Sequence, residues 1–205
     1  GIPDSLKLID IAIKASQDMR AAVRFFRKSA ADGNTYKIDI DNIFIGGVSA
    51  GAITALHAGL LDESDPIPEF AKQAITKNGG IIGTSGTPDA INQSSDVKAI
   101  INLSGAVVNT SIIDAGDPPI YSLHGDKDDV VPFDLDYAYV GPIKILQLYG
   151  SNRIHEQAKK IGIPTALTVV SGGGHADIYL EERFRPQLDA FNTKTFIAIK
   201  GQICN

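Results

Sequence analysis

Early in the chain the apolar positions recur at helical spacing, through Leu6, Ile9 and Ile13 and then Met19, Ala22, Val23 and Phe26. This predicts one long helix over residues 4–31, or two joined near Ser16. Arg20, Arg24, Arg27 and Lys28 fall on the opposite face, which reads as solvated, and Asp32-Gly33-Asn34 supplies a stop. The period then shortens. Residues 38–45 predict a strand whose Ile-Phe-Ile run implies burial on both sides, as in a parallel sheet. Further strands are predicted over 97–103, 119–123 and 165–170, and helices over 50–61, 69–77, 151–162 and 182–199. Strands alternating with helices imply an α/β domain with a mainly parallel sheet. No repeat or linker divides the chain, so residues 1–205 read as one domain.

Residues 62–96 are the least regular part, broken by Pro66, Pro68, Gly79, Gly80, Gly83, Gly86 and Pro88. The glycine-rich run 79–87 matches no phosphate loop, because no Gly-Lys-Ser/Thr follows it. It reads as a surface loop bordering a substrate site.

Composition narrows the function classes. A net charge of -5 with no basic cluster argues against nucleic acid as the main partner. The only cysteine, Cys204, lies one residue from the end and excludes an internal disulfide or a cysteine-based metal site. The four histidines show no spaced pairing with carboxylates of the kind zinc requires, and no cofactor is implied. No apolar run is long enough to span a bilayer. The chain opens Gly1-Ile2-Pro3 and its only methionine is Met19, so upstream sequence is expected to have been removed by processing or by design.

The chemistry centres on Gly47-Val48-Ser49-Ala50-Gly51, where an apolar strand runs into Gly-x-Ser-x-Gly and then into a helix. A serine on such a turn is lifted above the sheet edge, and side chains larger than hydrogen at Gly47 or Gly51 are expected to collide with the turning backbone. The helix that begins there places free N–H groups and its positive dipole end beside the hydroxyl. A serine hydroxyl needs a base to take its proton, and the base needs an acid to fix its tautomer. Loops after two later strands offer both, in His124-Gly125-Asp126-Lys127-Asp128-Asp129-Val130-Val131-Pro132 and in Gly172-Gly173-Gly174-His175. The order Ser49, Asp128, His175 is the one expected for this kind of elbow. A flexible triglycine before His175 suits a loop that must reach. Asp126, Asp129 and Asp134 compete with Asp128, and motif spacing selects Asp128. His57 lies two turns past the serine and reads as a packing or surface residue. His124 reads as a strand-end brace for the acid loop, and His155 as solvent-facing.

With these motifs in hand, nearly the whole chain resembles the α/β-hydrolase superfamily, near its carboxylesterase, lipase and dienelactone-hydrolase-like branches. The resemblance implies an α/β-hydrolase fold, with Ser49 as nucleophile, Asp128 as orienting acid and His175 as general base and later general acid. Serine at position 49 favours carboxylic ester hydrolysis, of small-molecule or of lipid- or polyester-type esters, over the chemistry of cysteine or aspartate nucleophiles. A peptide or thioester substrate remains the alternative with the same residues, and a non-catalytic binding module the alternative of another class. The resemblance is to bacterial esterases, some of them exported, which favours a secreted or periplasmic location over a cytoplasmic one.

The chain departs from the family at the oxyanion hole. The backbone N–H of Ala50 is one donor, but the His-Gly-Gly loop that marks the second is absent, and about one helix and one strand precede Ser49 where several strands are usual. The chain is therefore expected to be the C-terminal portion of a hydrolase lacking its N-terminal strands, and to associate with a second copy or with an N-terminal fragment.

Overall fold

The computed structural model describes residues 5–203. The opening Gly1-Ile2-Pro3, Asp4 at the expected helix start, and Cys204 lie outside the described residues. Helix α1 (Ser5–Ala31) is continuous. Ser16 does not break it, because its hydroxyl donates back to the Ala12 carbonyl at 2.9 Å.

Strand β1 (Phe44–Val48) begins later than the pattern suggested. Residues 38–42 are spent in turns: the Asn34 side chain both accepts from the Ile38 N–H and donates to its carbonyl, and Asp39 collects the Asp41 N–H and the Asn42 amide. Then follow α2 (Ala50–Leu60), α3 (Glu69–Lys77), β2 (Ala99–Leu103), the short β3 (Ala106–Val107) and β4 (Ile120–Gly125). After them come β5 (Leu135–Val140), β6 (Ile143–Gly150), α4 (Ser151–Ile161), β7 (Thr165–Val170), α5 (Asp177–Leu180) and α6 (Arg185–Ile203). The last helix begins after a short 3-10 turn at Glu182–Phe184 and runs beyond residue 199.

Strands β1, β2, β4 and β7 form a parallel sheet in that spatial order. Its register sets Val48 beside Leu103, Leu103 beside Leu123 and Leu123 beside Thr168. The segments that follow β1, β2, β4 and β7 therefore leave from one edge, where open parallel sheets gather their sites. Successive residues bury opposite faces, as the unbroken apolar strands anticipated. Ile45, Ile100 and Ile120 pack under Val23, Leu56 and Ile154 from α1, α2 and α4, while Ala99, Tyr121 and Leu123 pack under Ile178, Phe184 and Phe191.

Two features differ from the reading of the pattern. The stripe on α1 is not a solvated face: Arg20 is 6% exposed and Arg24 1%. Gln17, Arg20, Arg24 and Arg27 follow one another at helical spacing and donate to the carbonyls of Gly80, Ile81, Ile82 with Ser85, and Asp96. An irregular segment has carbonyls that no ladder uses, and guanidinium forks satisfy them while their stems fill space. Residues 79–87 thus dock on α1, with Ile81 buried, and make no hydrogen bond to Ser49, Asp128 or His175 among the described residues.

The second difference is the hairpin β5–β6, joined to β3 in a separate antiparallel sheet. Its signal was present in the apolar alternation on either side of Gly141-Pro142, where Gly141 takes a φ of 58° between the paired Val140 and Ile143. Ala138, Leu146 and Leu148 pack on Val130 and Val131 of the acid loop and on Ile53 of α2.

Candidate active site

Ser49 sits at a φ of 56° and ψ of -123°, a conformation that side chains larger than hydrogen rarely adopt. Such strain costs of order 1–3 kcal/mol and persists only where the surroundings over-determine it. Here the Ser49 N–H donates to the Leu103 carbonyl at 2.9 Å, and its own carbonyl accepts the Ile53 N–H of α2 at 3.0 Å. A Cβ on Gly47 would stand 2.4 Å from the Gly51 carbonyl carbon, so glycine is required at that position. Gly51 is different: a Cβ there meets nothing within 4 Å, and the expected collision does not occur. Ala50 opens α2, and the first amides of a helix have no intrahelical acceptor, so they remain available beside Ser49.

The Ser49 hydroxyl lies 2.8 Å from His175 Nε2, and His175 Nδ1 lies 2.7 Å from Asp128 Oδ2. Three residues far apart in sequence are thus brought into one line. Two of the competing carboxylates go elsewhere. Asp126 accepts from Gly172 N–H and the Ser171 hydroxyl, and Asp134 pairs with Arg153. The triglycine is no free tether, since Gly173 accepts from Lys127 N–H and Gly174 donates to Asp177. Close approach requires glycine on both sides instead: a Cβ on Gly125 would meet the Gly173 carbonyl oxygen at 2.2 Å, and one on Gly173 would meet Ile178 Cγ2 at 2.3 Å.

The Asp128 carboxylate is fully buried and His175 is 17% exposed. Burial alone would push the Asp128 carboxyl up. Hydrogen bonds from His124 and His175 and from the N–H groups of Val130 and Val131 outweigh it and hold the group well below the usual carboxylate range. His124 braces the acid loop, with Nε2 3.2 Å from Asp128 Oδ2 and 3.1 Å from the Val131 carbonyl.

Several neighbours carried no sequence signal, because polar residues in apolar strands look like interruptions. Ser104 takes a φ of 53° beside Ser49, and its hydroxyl lies 2.7 Å from that of Tyr179, which joins the end of β2 to the helix after His175. Burial pushes the Tyr179 phenol up to about 12, so it stays protonated. Among the described residues no group of three or more His, Cys, Asp or Glu is placed to hold a metal ion, and no helix is long and apolar enough to cross a membrane.

A family model described as BD-FAE matches residues 10–111, a span that includes Ser49. A truncated form of a carbohydrate esterase from gut microbiota superposes with a TM-score of 0.62 at 20% identity, over 93% of this chain and 68% of that one. The chain has an α/β-hydrolase fold. Esterase 2 of the planctomycete Thermogutta terrifontis, with propionate bound, gives a TM-score of 0.59 at 16% identity over 90% of this chain. The same esterase phosphorylated by paraoxon gives 0.60 at 18% identity. This chain spans 64% of the length of either esterase structure. No match to it is found among curated proteins.

The remaining histidines of the chain lie away from Ser49. His57 is 8% exposed, with Nδ1 2.8 Å from the Ile53 carbonyl and Nε2 accepting the Val108 N–H. His155 is not solvent-facing but half-buried, 3.2 Å from the Thr165 hydroxyl, because β7 packs along that side of α4.

Proposed function

We propose that this chain is the C-terminal portion of a serine hydrolase that cleaves carboxylic esters through an acyl-enzyme. The observation that carries this reading is the continuous line from Ser49 Oγ through His175 to Asp128, at 2.8 and 2.7 Å. Ser49 Oγ attacks the ester carbonyl carbon while His175 Nε2 takes its proton, and the alcohol leaves with that proton. Water then attacks the acyl carbon, gives a proton to His175, and releases the carboxylic acid as Ser49 recovers its hydrogen. Asp128, held ionised, keeps His175 in the productive tautomer and stabilises the imidazolium. The Ala50 N–H serves the oxyanion.

The esterase neighbours, one of them with propionate bound, support small-molecule ester substrates. The organophosphate chemistry of one of them supplies the test: paraoxon should phosphorylate this chain once, at Ser49, by intact mass and peptide mapping. Ser49→Ala should remove both labelling and ester turnover, and hydrolysis that survives in that variant overturns the reading.

The second oxyanion donor comes, in this reading, with a strand added beside β1. That strand is the edge of the parallel sheet, and Val48 on it is 47% exposed. Such an edge favours pairing with another chain, either an N-terminal fragment of the hydrolase or a second copy. One absent donor costs roughly 3 kcal/mol, or ~100-fold in rate. A stable monomer with full esterase turnover counts against this part.

A further inference from the structure

Two imidazoles meet at Asp128, and only one of them belongs to the relay just described. Oδ2 lies 2.7 Å from His175 Nδ1 and 3.2 Å from His124 Nε2. His124 is wholly buried at the end of β4, edge-on to the Phe133 ring.

The hydrogens of this cluster follow from its two fixed ends. At one end the Gly105 N–H, which can only donate, gives to Asn102 Oδ1 at 3.0 Å. The Asn102 amide nitrogen then donates to Ser122 Oγ at 3.0 Å and to Ser151 Oγ at 2.9 Å. Ser151 has one hydrogen left to give. His124 Nδ1 is 2.8 Å away, against 3.4 Å for the Gly105 carbonyl. At the other end His124 Nε2 faces only acceptors, the Asp128 carboxylate and the Val131 carbonyl, so Nε2 carries the hydrogen. Asn102, Ser151 and His124 are all 0% exposed. In so dry a setting a chain with one donor sense polarises along its length, toward the carboxylate.

We propose that His124 is a positioning residue for the acid and base: its Nε2–H holds the carboxylate oxygen that His175 uses, and Gly105, Asn102 and Ser151 lock it in that tautomer. The inference rests on the Ser49–His175–Asp128 reading. Two effects follow. Asp128 Oδ1 accepts the Val130 and Val131 N–H groups at 2.9 Å each, and His124 fixes the other oxygen, so the carboxylate cannot turn away from His175. Oδ2 also takes two imidazole donors at once, so removing His124 leaves the negative charge of that oxygen to His175 Nδ1–H alone, a change that a pH profile reads.

The test is the rate at which a fluorophosphonate labels Ser49 in the full chain, measured against pH. In His124→Phe the acidic limb of the profile should move up by about one pH unit, and the plateau rate should fall about tenfold. His124→Gln, whose amide can reach Asp128, should bring the limb back toward the original. Ser151→Ala should give a smaller shift in the same direction. Should His124→Phe fail to fold, histidine-selective nitrogen-15 NMR of the unmodified protein decides, with His124 expected as the Nε2–H tautomer. An Nδ1–H tautomer overturns the proposal. So does a slower reaction whose limb does not move, since that is all a merely structural role would give. Absent labelling in the unmodified protein overturns the relay reading itself, whereas normal labelling with an unmoved limb in His124→Phe overturns only the role of His124.

Discussion

Buried carboxylates at the two ends of the parallel sheet are treated in opposite ways. At the carboxyl end Asp128 is fully enclosed, yet four donors hold it ionised. At the amino end, where α2 finishes and β4 begins, burial pushes Asp65 up and Asp117 up to about 6, and Asp62 and Asp114 add like charge. A cation stands close by. Arg20, however, gives its hydrogens to the carbonyls of His57, Ala58, Leu61 and Ile81 rather than to any carboxylate. Asp65 Oδ1 is left buried without a partner. Burial alone therefore does not decide the state of an acid in this chain; the donors aimed at it do.

Replacing the favoured acid breaks the comparison most sharply. Asp128→Asn keeps the size but removes the charge, and an amide can offer His175 a hydrogen where an acceptor is needed. Ester turnover and the labelling of Ser49 are expected to fall ~10⁴-fold, with the fold intact by circular dichroism. A drop of less than tenfold would mean that another carboxylate serves His175.

Arg20 tests the other end. Arg20→Met keeps much of the stem but strips the donors from the buried last turn of α2 and from Ile81. Leaving those carbonyls unsatisfied is expected to cost about 3 kcal/mol and to lower Tm by roughly 6–12 °C. The loss should be larger at pH 7 than at pH 4, because Arg20 is also the positive charge that lowers Asp65. An equal loss at both pH values would mean that Arg20 acts on the carbonyls alone.

The two ends were not equally legible. Ser49, Asp128 and His175 stood out because chemistry demands particular residues at strand ends, and the elbow, His-Gly-x-x-Asp and Gly-Gly-His each carry their own context. The amino end offered no such demand. Gln17, Arg20, Arg24 and Arg27 keep helical spacing whether they face water or the carbonyls of an irregular segment, so periodicity identified the stripe but not what it touches. The hairpin went unread because β5 and β6 are half-exposed, and their alternation is weaker than the apolar runs of the parallel sheet. Gly51 shows the opposite error, a motif glycine whose steric reason is absent from this part of the fold.

The finest test sets the two acids against each other by the slope of stability with pH. Asp117 has its folded-state pKa raised from 3.8 to about 6, so its ionised form is disfavoured in the fold. Its contribution is favourable at low pH and is lost as pH rises from about 4 to about 6. Asp128, held low, has the reverse sign: it stabilises above the unfolded value of 3.8, and that stability is lost as pH falls below it. Asp117→Asn retains an oxygen to accept the Asp114 N–H, which the carboxylate now takes at 2.8 Å, while removing the charge. Thermal melts of this variant should match the parent at pH 4 and lie modestly above it at pH 7, with the gap opening between pH 4 and 6. The slope below pH 4, to which Asp128 contributes, should stay as it was. A parallel offset at every pH would show that Asp117 is not the group titrating in that window, and the contrast between the two ends would then rest on Asp65.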